Sequence, residues 1–147
     1  GLRRGFENVI GTDRAIADYS EAIRLQPDDT ESHNARGIAY RGNGKFDLAI
    51  ADHDEALRLR PDDPFAFYNR GLANGARGKD DLAIADFSEA IRLHPDDSDF
   101  YFLRANSLSR KGRKKEALAD YRQALEVGTL AEKEQNEARR KVKALSK

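Results

Sequence analysis

The sequence predicts an all-α fold, a solenoid of antiparallel helical hairpins closed by a C-terminal capping helix. Three observations predict it. The run Ala15 to Asp29 reads AIADYSEAIRLQPDD and returns at Ala83 to Asp97 as AIADFSEAIRLHPDD, with a third copy at Ala49 to Asp63 and a fading fourth from Ala117. Pro27, Pro61 and Pro95 close the first three copies at intervals of 34 residues, a period at which each unit must bury its apolar face against the next. Gly44, Gly78 and Gly112 recur once per period, at the place where a helix ends most readily on a residue that accepts the left-handed conformation.

The chain is read as one solenoid domain, 1–147, with an incomplete first unit at 1–29, complete units at 30–63, 64–97 and 98–128, and a cap at 129–147. In the second unit Asp29 is a good N-cap, and its counterpart Asp63 precedes Pro64, a residue suited to the first helical position. A first helix therefore runs through Asn34 and Tyr40 and stops near Gly44. A second helix carries Ala49, Ile50, His53, Ala56 and Leu57 at helical spacing and ends before Pro61. Gly37 and Gly71 on first helices, and Ala49, Ala56, Ala83, Ala90, Ala117 and Ala124 on second helices, allow close helix approach. Tyr19, Phe87 and Tyr121 form an aromatic series in which His53 takes one slot. The polar tail after Gly128 carries Leu130, Val142 and Leu145 and reads as the seal over the last exposed face.

Within each unit an ion pair can be derived. If the hairpin turns at Gly44, the residue eight before it faces the residue eight after, which sets Arg36 against Asp52. The period repeats this as Arg70 with Asp86 and Arg104 with Asp120. The leading end lacks such completion. The helix from Thr12 to Leu25 is expected to leave Ile16, Tyr19, Ile23 and Leu25 partly uncovered, with Leu2, Phe6, Val9 and Ile10 covering some of them. It is the expected weak end and a candidate homodimer surface.

Composition narrows function by exclusion. Basic and acidic residues balance at 26 each, so total charge calls for neither nucleic acid nor membrane. The absence of cysteine removes disulfides and thiolate metal sites, and no apolar run approaches the roughly 18 residues of a membrane span. The chain has no methionine and starts at Gly1; it is expected to be a piece of a longer protein, cytoplasmic, with an earlier removed signal segment left open. His33, His53 and His94 occupy different positions in their units, without the i, i+4 spacing of a zinc helix. The pairs Asp28-Asp29, Asp62-Asp63 and Asp96-Asp97 cap helices, since no calcium loop surrounds them. Gly75 to Lys79 lacks the length and the hydroxyl of a phosphate loop. No catalytic residue, cofactor or metal site is expected. Arg110, Lys111, Arg113, Lys114, Lys115, Arg139, Arg140, Lys141 and Lys143 form a basic end, read as a solvated cap rather than a nucleic-acid surface.

The pattern resembles the tetratricopeptide repeat. The family's series of large, small and aromatic residues followed by Ala, aromatic, Ala and Pro is met by His33, Gly37, Tyr40, Ala49, His53, Ala56 and Pro61, and again by Phe67, Gly71, Ala83, Phe87, Ala90 and Pro95. The match spans about Thr12 to Thr129. Departures are Asn74 in the first-helix aromatic slot, Ala105 in place of glycine, Thr129 in place of the closing proline, and Arg3 where Gly37 stands in the next unit. The resemblance implies a right-handed superhelix whose first helices line a concave peptide-binding face. Carried over by position, that face comprises Asn34, Ile38 and Arg41, then Phe65, Tyr68, Asn69 and Leu72, then Phe102, Asn106, Ser109 and Arg110, centred on Tyr68, Asn69 and Asn106. One subclass grips a C-terminal carboxylate with Lys and Asn one turn apart; the first pair here is Asn34 and Ile38, or Tyr68 and Leu72, and neither fits. The expected function is a protein–protein interaction scaffold that binds a peptide or protein segment in the groove. The alternative is a non-catalytic regulatory or substrate-positioning segment of a larger enzyme.

Overall fold

A computed structural model describes the backbone of residues 2–147 and the side chains of residues 11–147. The described residues form eight helices: α1 (Leu2–Leu25), α2 (Thr30–Gly42), α3 (Phe46–Leu59), α4 (Pro64–Ala76), α5 (Asp80–Leu93), α6 (Ser98–Arg110), α7 (Lys114–Val127) and α8 (Glu132–Leu145). The pairs α2/α3, α4/α5 and α6/α7 are hairpins, each packing on the next, and α8 lies on α7.

Helix ends follow local chemistry. Asp29, Asp63 and Asp97 cap α2, α4 and α6, each accepting a backbone N–H from the first turn, and Pro64 opens α4. Between first and second helices, Gly44, Gly78 and Gly112 take φ of 74°, 77° and 77°. A Cβ there would meet the adjacent carbonyl, so glycine is the residue of lowest strain.

The small-residue positions are close approaches. A Cβ on Gly71 would lie 2.8 Å from the Phe87 ring, and one on Gly37 would lie 2.7 Å from the His53 ring. At Gly75 the nearest atoms are at 3.7 and 3.8 Å, ordinary contact. Two alanine substitutions on one helix should therefore have opposite signs. Gly71→Ala is expected to destabilise by about 1–3 kcal/mol through overpacking, while Gly75→Ala gains about 0.5–1 kcal/mol of helix propensity. Urea denaturation of both variants checks this, and equal shifts would contradict the packing account.

The derived ion pairs are present. Arg36 meets Asp52, Arg70 meets Asp86 and Arg104 meets Asp120, each at 2.7 Å, with the three carboxylates almost wholly buried. Each arginine also reaches back one unit: Arg36 to the Ser20 hydroxyl, Arg70 to Asp54, Arg104 to the Ser88 hydroxyl. One side chain thus ties its own hairpin and the preceding unit. Asn74, which stands where an aromatic was expected, is buried and donates to Asp86, adding a further bond to that pair. A second ladder runs along the turns, joining Asn43 to Asp13, Arg77 to Asp47 and Lys111 to Asp81.

The two ends differ. At the C-terminal end Leu130, Ala138, Val142 and Leu145 close over the cluster built on Phe102, Tyr121 and Ala124. Thr129, in the proline position, exchanges two hydrogen bonds with Ser98, one from each backbone N–H to the other hydroxyl, at 2.9 Å each. At the leading end, Ile16, Tyr19 and Ile23 are half-buried and Leu25 is 70% exposed. The backbone of 2–10 extends α1 as one helix rather than folding back along it, and the side chains of Leu2, Phe6, Val9 and Ile10 lie outside the described residues.

Candidate functional site

The first helices share one face, and α2 touches α4 directly on that side. Two adjoining cavities open there. The larger, about 540 Å³, is bounded by Arg41 of α2, Tyr68 and Leu72 of α4, Asp99, Phe102 and Leu103 of α6, and Thr129, Ala131 and Glu134 at the start of α8. The smaller, about 330 Å³, lies between Gly71, Leu72, Gly75 and Ala76 on α4 and Leu103, Asn106, Ser107 and Arg110 on α6, with Phe87 of α5 also lining it. Leu72 and Leu103 belong to both, so the cavities are two compartments of one groove.

The recess exists because of a local departure from the repeat. Gly75 occupies the register of Arg41 and Ser109, and Ala76 that of Gly42 and Arg110. In the third unit alone the Gly75 register carries no side chain, which exposes the groove floor, while Ala76 keeps only a methyl.

Of the residues expected on the concave face, Arg41, Tyr68, Leu72, Phe102, Asn106 and Arg110 line the groove. Phe102 is largely core, 5% exposed and packed edge-on to Tyr121. Asn106 accepts the Tyr121 hydroxyl proton, which fixes its amide. Arg110 is already held by Asp80 and by the Ser107 hydroxyl. The remaining five stand elsewhere. Asn69 is buried, its amide donated to the Phe65 carbonyl. Asn34 donates to Asp63 and accepts from His53. Phe65 is half-exposed and joins an aromatic cluster with His94 and Phe100, against which Tyr68 also stacks. Ile38 is exposed on α2 and Ser109 half-buried on α6, neither lining the groove. Of the expected centre, Tyr68 and Asn106 line the groove beside Leu72 and Leu103, while Asn69 spends its amide on the Phe65 carbonyl, as a buried amide must satisfy its own hydrogen bonds.

Sequence reasoning missed Leu103, Gly75, Asp99 and Glu134. Comparison of registers reveals the glycine, whereas nothing in the polar tail after Gly128 distinguishes Glu134 from the rest of a cap. Charge on the groove is uneven. Burial pushes the Asp99 carboxyl above its ordinary range, and Asp97 and Glu134 push it further the same way. Burial likewise raises Tyr68, with Asp99 acting in the same direction and Arg41 against it. Arg41 Nε is buried without a hydrogen-bond partner. At the basic end Arg110 pairs with Asp80, Lys111 with Asp81 and Arg113 with Glu116. Among the described residues no group of His, Cys, Asp or Glu is arranged to hold a metal, and no helix is long and apolar enough to cross a membrane.

Known proteins agree with this architecture. The tetratricopeptide-repeat family model matches residues 11–64 and 68–136. No curated protein matches in sequence. Among solved structures, the first TPR of Spaghetti (RPAP3), bound to an HSP90 peptide, is 25% identical over 80% of this chain and 94% of its own, with a TM-score of 0.73. The first TPR domain of human RPAP3 is 26% identical, covering 80% and 92%, with a TM-score of 0.72. MamA, at 20% identity over 92% of this chain and 86% of its own, has a TM-score of 0.78 and shares the fold. With the repeat, the hairpins and the family match in agreement, this chain belongs to the tetratricopeptide-repeat family.

Proposed function

We propose that the chain is a protein–protein interaction module that binds a segment of another protein in the groove between α4 and α6. The repeats of this family are generally non-catalytic scaffolds, and a peptide-bound relative supports the same use here. The observation that carries the reading is the recess beside Gly75, where the period would otherwise place a side chain. A closed, well-packed scaffold gains nothing from that vacancy, whereas a ligand side chain gains burial worth about 25 cal/mol per Å² of apolar surface. The mode is not carboxylate capture by a Lys–Asn pair, because Asn34 and Ile38 or Tyr68 and Leu72 occupy those positions.

Selection from a displayed random-peptide library, followed by titration of the selected peptides, tests the reading. Gly75→Leu is expected to weaken their binding at least about tenfold, equivalent to about 1.4 kcal/mol, without lowering the melting temperature. Selected peptides that bind the variant as tightly as the parent would place recognition outside this groove.

A further inference from the structure

We propose that the segment bound in the groove is basic: an aliphatic side chain enters the recess beside Gly75 while a lysine or arginine of the same segment sits against Asp99 and Glu134. This rests on the groove being the binding site and adds the chemistry of what it takes.

Asp52, Asp86 and Asp120 each hold an arginine, and Asp47, Asp80 and Asp81 each hold a cation from the following unit. The periodic design supplies a cation to the acids at these recurring registers. Asp99 and Glu134 lie on two different helices, α6 and α8, and both line the larger compartment. Among the described residues neither has an ion-pair partner. Their neighbour Asp97 is occupied as the cap of α6 and brings a third negative charge rather than a balancing positive one. The crowding is visible in Asp99 itself, whose carboxyl is raised first by burial and then by Asp97 and Glu134, with no cation opposing them.

Partly desolvated like charges without an ion-pair partner are costly, and a cation brought by a ligand into contact with them relieves that cost at the moment of binding. The whole chain is neutral, with 26 residues of each sign, so the acidic wall arises from placement and not from composition.

The opposite wall completes the specification. Arg41 lines the same compartment from α2 but, among the described residues, forms no ion pair with Asp99 or Glu134, so both carboxylates still lack a partner. Arg110 contributes no free charge at the recess, since Asp80 and Ser107 already hold it. Leu72, Ala76, Leu103, the Phe87 ring and two glycines bound the recess together with Asn106 and Ser107, whose Oδ1 and hydroxyl are taken by Tyr121 and Arg110, so it takes an apolar side chain. Because Leu72 and Leu103 serve both compartments, the apolar and basic residues of one short segment reach their positions together.

An array of short synthetic peptides in a Ser/Gly background tests this. Each peptide carries one Leu and one Lys at varied separation, with matched members having Glu for Lys or Ala for Leu. The protein is expected to retain the best Leu/Lys members about fivefold more than their Leu/Glu counterparts, the size of a partly exposed ion pair, and the preference should shrink as salt rises. The double variant Asp99→Asn, Glu134→Gln should lose the Lys preference while retaining dependence on Leu and a melting temperature within a few degrees of the parent. Peptides that need Leu and are blocked by Gly75→Leu, yet bind equally with Lys or Glu, would overturn the charge assignment and leave the groove reading standing. Retention that depends neither on Leu nor on Gly75, or no retention of any Leu/Lys member, would overturn both.

Discussion

Replacing Asp86 by alanine is expected to cost about 3 kcal/mol of folding stability, the low end of the range for removing one partner of a buried ion pair. Asp86 is 4% exposed and accepts bonds from Arg70 Nε and Nη2 and from the Asn74 amide. Alanine leaves a guanidinium and a buried amide without their acceptor, and an unsatisfied buried group loses more than the bond was worth. The cost stays near the low end because Arg70 keeps Asp54. The matched substitution Asp54→Ala removes a carboxylate whose side chain is 55% exposed, and should cost under about 1 kcal/mol. Chemical denaturation of the two variants measures the difference. Similar losses would show that burial is not what gives the ladder its strength. Since the bond that reaches the preceding unit is Arg70–Asp54, any broadening of the unfolding transition through lost coupling between units belongs to Asp54→Ala and not to Asp86→Ala.

Acidification should weaken the protein through His53. Its ring is fully buried, its Nδ1 is 3.0 Å from Asn34 Oδ1, and its Nε2 has no partner. The tautomer follows from the chain of bonds: Asn34 donates its amide to Asp63, so its oxygen must accept, and His53 Nδ1 must carry the proton. A second proton would fall on Nε2, against Gly37 and away from any acceptor. Burial chiefly, with Arg41 and Arg70 adding to it and Asp52 and Asp54 opposing, lowers the pKa from 6.5 to about 4. A depressed histidine pKa means that the unfolded chain binds the proton more readily. Its contribution is therefore fully present above pH 6.5 and is lost as pH falls toward 4. Over that window the shift corresponds to about 3 kcal/mol. His53→Phe places in this slot the residue that Phe87 provides one unit later, and should remove most of the pH dependence between 6.5 and 4. If the variant and the parent lose stability in parallel across that window, His53 is not the responsible group.

The chain by itself determined the unit, its ends and its internal pairing. A 34-residue period, a capping aspartate, a glycine at the turn and a proline after the second helix act through spacing alone, because hairpin geometry is local and repeats. For the same reason Arg36 could be set against Asp52 by counting from Gly44. The tertiary structure decided what depends on the offset between units and on competition for hydrogen bonds. It drew the same arginines back to Ser20, Asp54 and Ser88, and it committed the amides of Asn34 and Asn69 to internal acceptors, away from the groove. It also turned the start of the capping helix into a groove wall, bringing Glu134 to the compartment that Asp99 lines, 35 residues earlier in the chain. No local pattern encodes that meeting, because it arises from the accumulated rotation of one unit upon the next and exists only once the solenoid is stacked.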